Sequence, residues 1–490
     1  MNTDGRRRIR PAMRSRQVAV VVVCLSLSAT GCASRLPRSE IIAAQGTGVA
    51  TAPVSATDQG DTSGALSRPA AAVGADVTAA AGAAGSTPKS ENLERPAGVD
   101  VSNTRRSAGS AGAGAVSAAV PANGIPIKIG SVGSISGLFG GVLKPILEGI
   151  QVNIAAINRD GGVNGHPIEL VVADDNGDPA VHLSRLRQLL EKDEVIGFVN
   201  MPAATLSKAS LDYHESKSVP YIDTDGSNTL AGSSPMSFTM GSSAAALNGA
   251  EFSAVSTLAG AGPKVGYIVC LEVQQCADYA DSFAGFAKRA GLTPVYGAKA
   301  TLTSPDFTQN CLQARSAGAE FIFIRADPNS IKRIARDCSR QGYLPRFVFA
   351  GGTTDATFPG TAALNGAIIP SQVFPFTASD TPEAKRFKAE MIRTRVADQI
   401  IAGNALGWVA ANVLVKALGQ VGPADTPTTA ALLKGLWTFK NERLGGLSLP
   451  LTYSQGAPPT HATRSCSFPM TLANGGWVAP KGNAFFCLPA

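Results

Sequence analysis

From residue 125 onward the chain alternates short β-branched runs with amphipathic segments. Ile127-Lys128-Ile129-Gly130 reads as a strand, and a Gly/Ser loop leads from it to a helix expected over 142–158. The turn Gly161-Gly162-Val163-Asn164-Gly165 runs into a strand over 168–173. Asp178-Pro179 is a helix start, with Asp as N-cap and Pro at the first helical position, and that helix should reach about residue 192. A strand at 195–199, a helix at 206–216 and a strand at 219–222 complete a first unit. The pattern then restarts. Strands at 265–269, 294–298, 321–324 and 347–349 alternate with helices at 277–290, 306–316 and 330–341. Strands alternating with helices require crossover connections, which make the sheets parallel. The expected fold class is therefore α/β, with two doubly wound parallel-sheet lobes facing each other. Residues 383–419 are helical and contain no comparable strand run, so they are expected to return to the first lobe. The tail from Gly445, rich in Gly, Pro and Thr, reads as a small β appendage.

The segment before residue 125 has a different character. All 19 Phe, 7 Tyr and 3 Trp lie at or after Phe139, so the first part of the chain cannot supply much of a core. Arg6, Arg7, Arg8, Arg10, Arg14 and Arg16 precede an apolar run at 18–29. A span needs about 20 apolar residues, so this shorter run with a positive flank has the shape of a signal peptide, 1–31. Ala29-Thr30-Gly31-Cys32 follows in the order of a bacterial lipobox, which makes Cys32 the expected lipidation site; an ordinary signal peptide with a chance cysteine is the alternative. Residues 32–124 are Ala, Gly, Ser, Thr and Pro with scattered charges and no apolar face. Such a composition does not offset the entropy of ordering, so a disordered tether is expected. A flexible linker of about 90 residues has an r.m.s. reach of roughly 50 Å. Of the formal charge of +7, a surplus of five sits in residues 1–31, which leaves +2 for the remainder. A nucleic-acid partner needs a lasting basic face, and none is expected.

Of eight cysteines, Cys24 leaves with the leader and Cys32 takes the lipid. Six remain, an even number in an exported chain, which suggests three disulfides. Fifteen connectivities are open in principle; the sequence-local one is preferred, Cys270–Cys276, Cys311–Cys338 and Cys466–Cys487. His166, His182, His214 and His461 are scattered and no Cys-x-x-Cys occurs, so no metal site is expected.

Catalytic motifs fail one by one. Asp174-Asp175-Asn176-Gly177-Asp178 starts like a calcium loop, but Pro179 and Arg185 stand where the EF-hand needs Gly and Glu. It reads instead as a polar turn capping a helix. His214-Glu215 lacks the second His of a metalloprotease helix, and no Gly-x-Ser-x-Gly elbow, P-loop or GxGxxG fingerprint is present. A cofactor-free, non-enzymatic binding protein is the expectation. Ligands of doubly wound sheets sit at the carboxyl ends of strands, where turns expose backbone N–H groups. The candidate loops are 133–139, 201–205 and 223–227 in the first unit, and 271–273, 325–327 and 351–355 in the second. Small hydroxyls with one aromatic suit a modest polar ligand.

Ile127-Lys-Ile-Gly-Ser-Val-Gly-Ser-Ile-Ser-Gly137 resembles the opening of type I periplasmic binding proteins of the branched-chain amino acid group. Ile157-Asn-Arg-Asp-Gly-Gly-Val-Asn-Gly-His-Pro-Ile-Glu-Leu-Val-Val-Ala-Asp-Asp-Asn-Gly-Asp-Pro179 is the more specific match, and Ser218-Val-Pro-Tyr-Ile-Asp223 and Ser304-Pro-Asp-Phe-Thr308 continue it. The resemblance covers about residues 125–440. It implies two lobes joined by three hinge crossovers that close on a ligand and deliver it to an ABC permease. The lobes would be 125–243 plus 372–440, and 244–371 plus 441–490. It also implies ligand contacts from Ser134, Ser136 and a covering Phe139, and from Ala203, Ala204 and Thr205, where the family's hydroxyl position holds alanine here. Thr224 and Asp225 would follow the fourth strand, and the family's acid would fall near Thr353, with Asp355 close by. Glu272 and Asp327 complete the candidate set from the second unit's strand ends. The expected protein is a monomeric, lipid-anchored solute-binding protein on the extracytoplasmic face of the cell membrane. Its alternative is a ligand-sensing or envelope-interaction lipoprotein on the same fold, without transport.

Overall fold

The computed structural model describes residues 124–489 apart from 138–139, 200–204, 225, 227, 229, 241–243, 395–399 and 457–464. The leader, Cys32 and the tether up to residue 123 lie outside the described residues, as do Phe139, Ala203, Ala204 and Asp225.

The first sheet is formed by β1 (Ile127–Gly133), β2 (Ile168–Asp174), β3 (Phe198–Val199), β4 (Tyr221–Asp223) and β5 (Ser237–Thr239), in the order β2-β1-β3-β4-β5. Every pairing in it is parallel, with Ile127 opposite Ile168 and Gly133 opposite Asp174 at the two ends of the longest ladder. Both faces are covered, and every residue of β1 except Lys128 is buried. Ile127 and Ile129 pack against Leu143, Ile146 and Ile150 of α1 (Gly140–Arg159). Val132 and Tyr221 pack on the other face against Leu186 of α2 (Pro179–Glu191) and Leu211 of α3 (Lys208–Lys217).

The chain then enters α4 (Ala244–Ala259) and builds a second sheet. Its parallel part comprises β6 (Lys264–Cys270), β7 (Thr293–Ala300), β8 (Phe321–Arg325), β9 (Arg346–Phe349) and β10 (Ile368–Ser371). One face carries α4 and α5 (Gln274–Arg289), where Phe252, Tyr279 and Phe283 pack on Phe321 and Phe323. The other face carries α6 (Thr308–Ser316) and α7 (Pro328–Arg340), with Cys311, Ile331 and Ile334 against Ile322 and Ile324.

The tail corrects one expectation. It is no appendage: β11 (Cys466–Ala473) pairs antiparallel with β10, and β12 (Gly476–Val478) and β13 (Phe486–Cys487) pair with β11. Phe468, Met470 and Leu472 recur with a period of two and are buried, so β11 is a core strand of the second sheet.

Between β10 and β11 the chain returns to the first sheet. It forms α8 (Pro382–Thr394), α9 (Ala402–Leu418) and α10 (Thr429–Leu436). α9 lies along α1 at a backbone approach that only glycine permits. A Cβ on Gly407 would stand 1.8 Å from the Ile146 carbonyl oxygen, and one on Gly149 would stand 2.1 Å from that of Asn404. Asn404 Nδ2 donates to the Pro145 carbonyl at 2.9 Å and Asn153 Nδ2 to that of Trp408 at 2.7 Å, so the close contact is also hydrogen-bonded.

Three crossovers thus join the lobes, and they touch one another. Val373 bridges Ser448, the Phe374 N–H donates to the Leu447 carbonyl at 2.9 Å, and Tyr453 Oη donates to the Thr239 carbonyl at 2.8 Å. The disulfides are Cys270–Cys276, Cys311–Cys338 and Cys466–Cys487. The second ties α6 to α7 across a separation of 27 residues, a closure for which chain entropy gives roughly 3–4 kcal/mol.

Candidate ligand-binding site

In the first lobe the strand ends converge on one buried acid. Asp175, directly after β2, accepts from Ser134 Oγ at 2.6 Å, Thr205 Oγ1 at 2.7 Å and the Gly177 N–H at 2.9 Å, and its Oδ2 lies 2.7 Å from His182 Nδ1. Burial pushes this carboxyl up, but the bonds from His182, Ser134, Thr205 and Gly177 outweigh it and hold Asp175 below its ordinary value. Ser134, after β1, and Thr205, ahead of α3, are thereby locked to the loop after β2. Both hydroxyls are turned inward to Asp175, so what these positions offer a ligand is well-fixed backbone.

One residue earlier, Asp174 accepts from Ser136 Oγ at 2.5 Å and from the N–H groups of Ile135 and Asn176 at 3.0 and 2.9 Å. Asp178 caps α2 through the N–H groups of Ala180 and Val181 at 2.7 and 3.0 Å. The acidic stretch is therefore a loop clamp and a helix cap, and among the described residues no cluster of potential metal ligands occurs. Thr224 is buried after β4, beside Asp223, whose Oδ1 accepts from the Gly226 N–H at 3.1 Å.

In the second lobe Glu272 follows β6 and accepts from Thr301 Oγ1 and the Leu302 N–H, both at 2.7 Å, which laces the loop after β6 to the end of β7. Asp327 follows β8 and caps α7, accepting from the N–H groups of Asn329 and Ser330 at 2.9 and 3.2 Å. Thr353 Oγ1 donates to the Ala350 carbonyl at 2.7 Å. Asp355 accepts from the Thr357 N–H at 2.8 Å and lies 3.5 Å from Lys332 Nζ. Beside them, buried Thr354 accepts from the Ala402 N–H at 3.2 Å, a bond that ties the loop after β9 to the start of α9.

Sequence reasoning named the loop 325–327 but missed the charged cluster that Arg325 forms at the centre of the second sheet's carboxyl edge. Arg325 ends β8, and its Nη2 lies 3.2 Å from Oε1 of the buried Glu251 and 3.1 Å from Asn248 Oδ1. The guanidinium carbon stands 4.2 Å from the Tyr279 ring centroid, and the Tyr279 hydroxyl donates to the other Glu251 oxygen. Burial pushes the Glu251 carboxyl up against the opposing pull of Arg325 and Tyr279. A signal was present: Glu251 is the lone charge in α4, a helix made otherwise of small, apolar and neutral polar residues.

The two sheets therefore offer fixed polar loops at their carboxyl edges, linked by laced crossovers. Residues 126–476 match the family model described as periplasmic binding protein. The chain belongs to the periplasmic binding protein family. Its fold is the type I form, and members of the family are extracytoplasmic and bind small-molecule ligands. A curated relative, the Leu/Ile/Val-binding protein homolog 7 of Brucella suis biovar 1 (strain 1330), is 22% identical over 327 residues, which is 63% of this chain and 81% of the relative. Among solved structures, a leucine-binding protein of Thermotoga maritima aligns with a TM-score of 0.59 at 18% identity, covering 74% of this chain and 98% of its own. The fatty acid ABC transporter substrate-binding protein of Thermomonospora curvata aligns at 0.61 and 20% identity, covering 73% and 91%. Among the described residues, no helix is long and apolar enough to cross a membrane.

Proposed function

We propose that this chain is the substrate-binding component of an ABC transporter, capturing a small organic solute between its lobes and presenting it to a permease. The observation that carries this reading is the pairing of two strand-edge loop sets with three crossovers that bond to one another. Such a hinge lets a ligand that favours the closed arrangement shift the protein toward it. The lobes are taken as 125–243 plus 372–440 and 244–371 plus 441–490. The protein works as a monomer and performs no chemistry on its ligand.

Ser134, Thr205 and Asp327 act by fixing rim backbone, whereas Ser136, Thr224, Glu272, Thr353 and Asp355 line the approach, with Phe139 as cover and Ala203, Ala204 and Asp225 in neighbouring loops. The relatives bind leucine, isoleucine and valine or fatty acids by name, so a small solute with an apolar body is the expected class. A lipid on Cys32 and the tether that follows would hold the head at the extracytoplasmic face. The experiment is a thermal-shift screen of amino acids and small organic acids against the purified protein, since a ligand that binds only the native state raises its melting temperature. A saturable shift from one chemical class supports the reading; no shift from any solute, with the protein folded, contradicts it.

A further inference from the structure

Arg325 is placed for recognition more than for stability. It sits at the carboxyl end of β8, between β6 and β9 in the sheet, which is where doubly wound sheets take their ligands. Its side chain is 15% exposed, while that of Glu251 is 1% exposed. Nη2 holds Glu251 and Asn248, and the ring of Tyr279 supports the guanidinium plane. Nε is buried with no acceptor among the described residues. A guanidinium carries five N–H donors in a rigid fork and no acceptor, and here the one on Nε is left over.

An internal ion pair is a weak device for stability, because an apolar pair of similar volume serves as well or better. An unpartnered buried donor is costly on top of that. Both features make sense if a further acceptor arrives with the ligand. Glu251, Asn248 and Tyr279 then have a shared purpose: they hold a cation still at the strand edge, with an N–H group unused.

We infer that Arg325 is a ligand-binding residue and that the solute carries a carboxylate, which accepts from its guanidinium. Glu251, Asn248 and Tyr279 are positioning residues. The inference rests on the solute-binding function proposed above and narrows it to organic acids, amino acids included.

The test is calorimetry on the full exported chain with matched pairs of probes: benzoate and benzamide, octanoate and octanamide, isoleucine and isoleucinamide. At least one acid should bind, and its amide should bind at least tenfold more weakly. The paired variant Glu251→Gln/Arg325→Gln removes both charges together, so no buried ion is left alone. It should weaken the acid about ten- to hundredfold, the range of a charge-assisted hydrogen bond, and weaken the amide by a smaller factor, since the amide loses only a neutral hydrogen bond. Arg325→Lys should fall between the two, since a point charge replaces the planar fork.

An amide bound as tightly as its acid, wild-type affinity for the acid in the paired variant, or failure of every acid to bind would each overturn the inference. If the variant does not fold, the acid-to-amide ratio of the wild type decides alone. A neutral or cationic solute that binds where the acids fail would overturn the carboxylate and leave solute binding standing; a wide screen without any binder removes both.

Discussion

Tyr453 Oη donates to the carbonyl of Thr239 at 2.8 Å, and the two residues belong to different crossovers between the lobes. The ring of Tyr453 also packs edge-on to Phe238 and tilted against Phe439, with centroids 5.1 and 5.2 Å apart. The hinge is therefore tied by a hydrogen bond inside an apolar cluster. Tyr453→Phe keeps the packing and removes the bond. It should cost about 1 kcal/mol, the net worth of a buried hydrogen bond, read as a lower denaturation midpoint at unchanged slope.

Asp175 is the acceptor on which the first lobe's rim depends. Asp175→Ala would leave Ser134, Thr205 and His182 without it in a buried site, and should cost about 3–5 kcal/mol. Asp175→Asn keeps an acceptor oxygen and should cost less. The folded-state value of this carboxyl is depressed. Its stabilisation is thus complete above the unfolded value near 4 and is lost as pH falls through the folded one. Acid denaturation below pH 4 should therefore be shallower in Asp175→Asn than in the wild type.

β8 was legible because a strand covered on both faces carries apolar side chains at successive positions, as Phe321 to Ile324 do. β1, β2 and β6 were legible from their β-branched residues, although Lys128, Glu169 and Lys264 interrupt or flank them. β5 was not legible, since Ser237-Phe238-Thr239 offers only three residues and one apolar side chain. β10 and β11 were hidden by Pro370 and Pro469, which stand opposite each other in the antiparallel ladder. Proline normally argues against an inner strand. At the candidate site, sequence logic named the strand-end loops but not the direction of their side chains. Ser134 and Thr205 turn inward because Asp175 and His182, distant in sequence, wait beneath them. Arg325 lay in the candidate loop 325–327 but was not singled out, because its partners come from α4 and α5, 77 residues away in the case of Asn248.

His214 is buried between Phe198 and Tyr221, with Nδ1 2.9 Å from the Val219 carbonyl. Burial lowers its pKa to about 3. A depressed value means the neutral ring stabilises the fold fully above the unfolded value near 6.5, and that this is lost as pH falls toward the folded one. Between pH 7 and pH 5 the loss should be about 2 kcal/mol. Comparing unfolding of the wild type and His214→Gln at the two pH values checks this: the variant should show a clearly smaller difference.

Cys32→Ser removes the thiol on which the proposed anchor depends. The variant should move from the membrane fraction to the soluble or secreted fraction with its melting temperature unchanged, because Cys32 lies far from the head in sequence. Cell fractionation with immunoblotting measures it. Retention equal to wild type would exclude lipidation at Cys32 as the anchor.

The claim at the centre of the account is that one solute is held by both lobes at once. Hydrogen–deuterium exchange of the protein, with and without the molecule that most raises its melting temperature, tests it most directly. The account predicts simultaneous protection of the loops after β1 and β4 in the first lobe and after β6 and β8 in the second, together with changed exchange in the crossovers around Phe374 and Tyr453. Protection confined to the loops of a single sheet, with the crossovers unaltered, would contradict it.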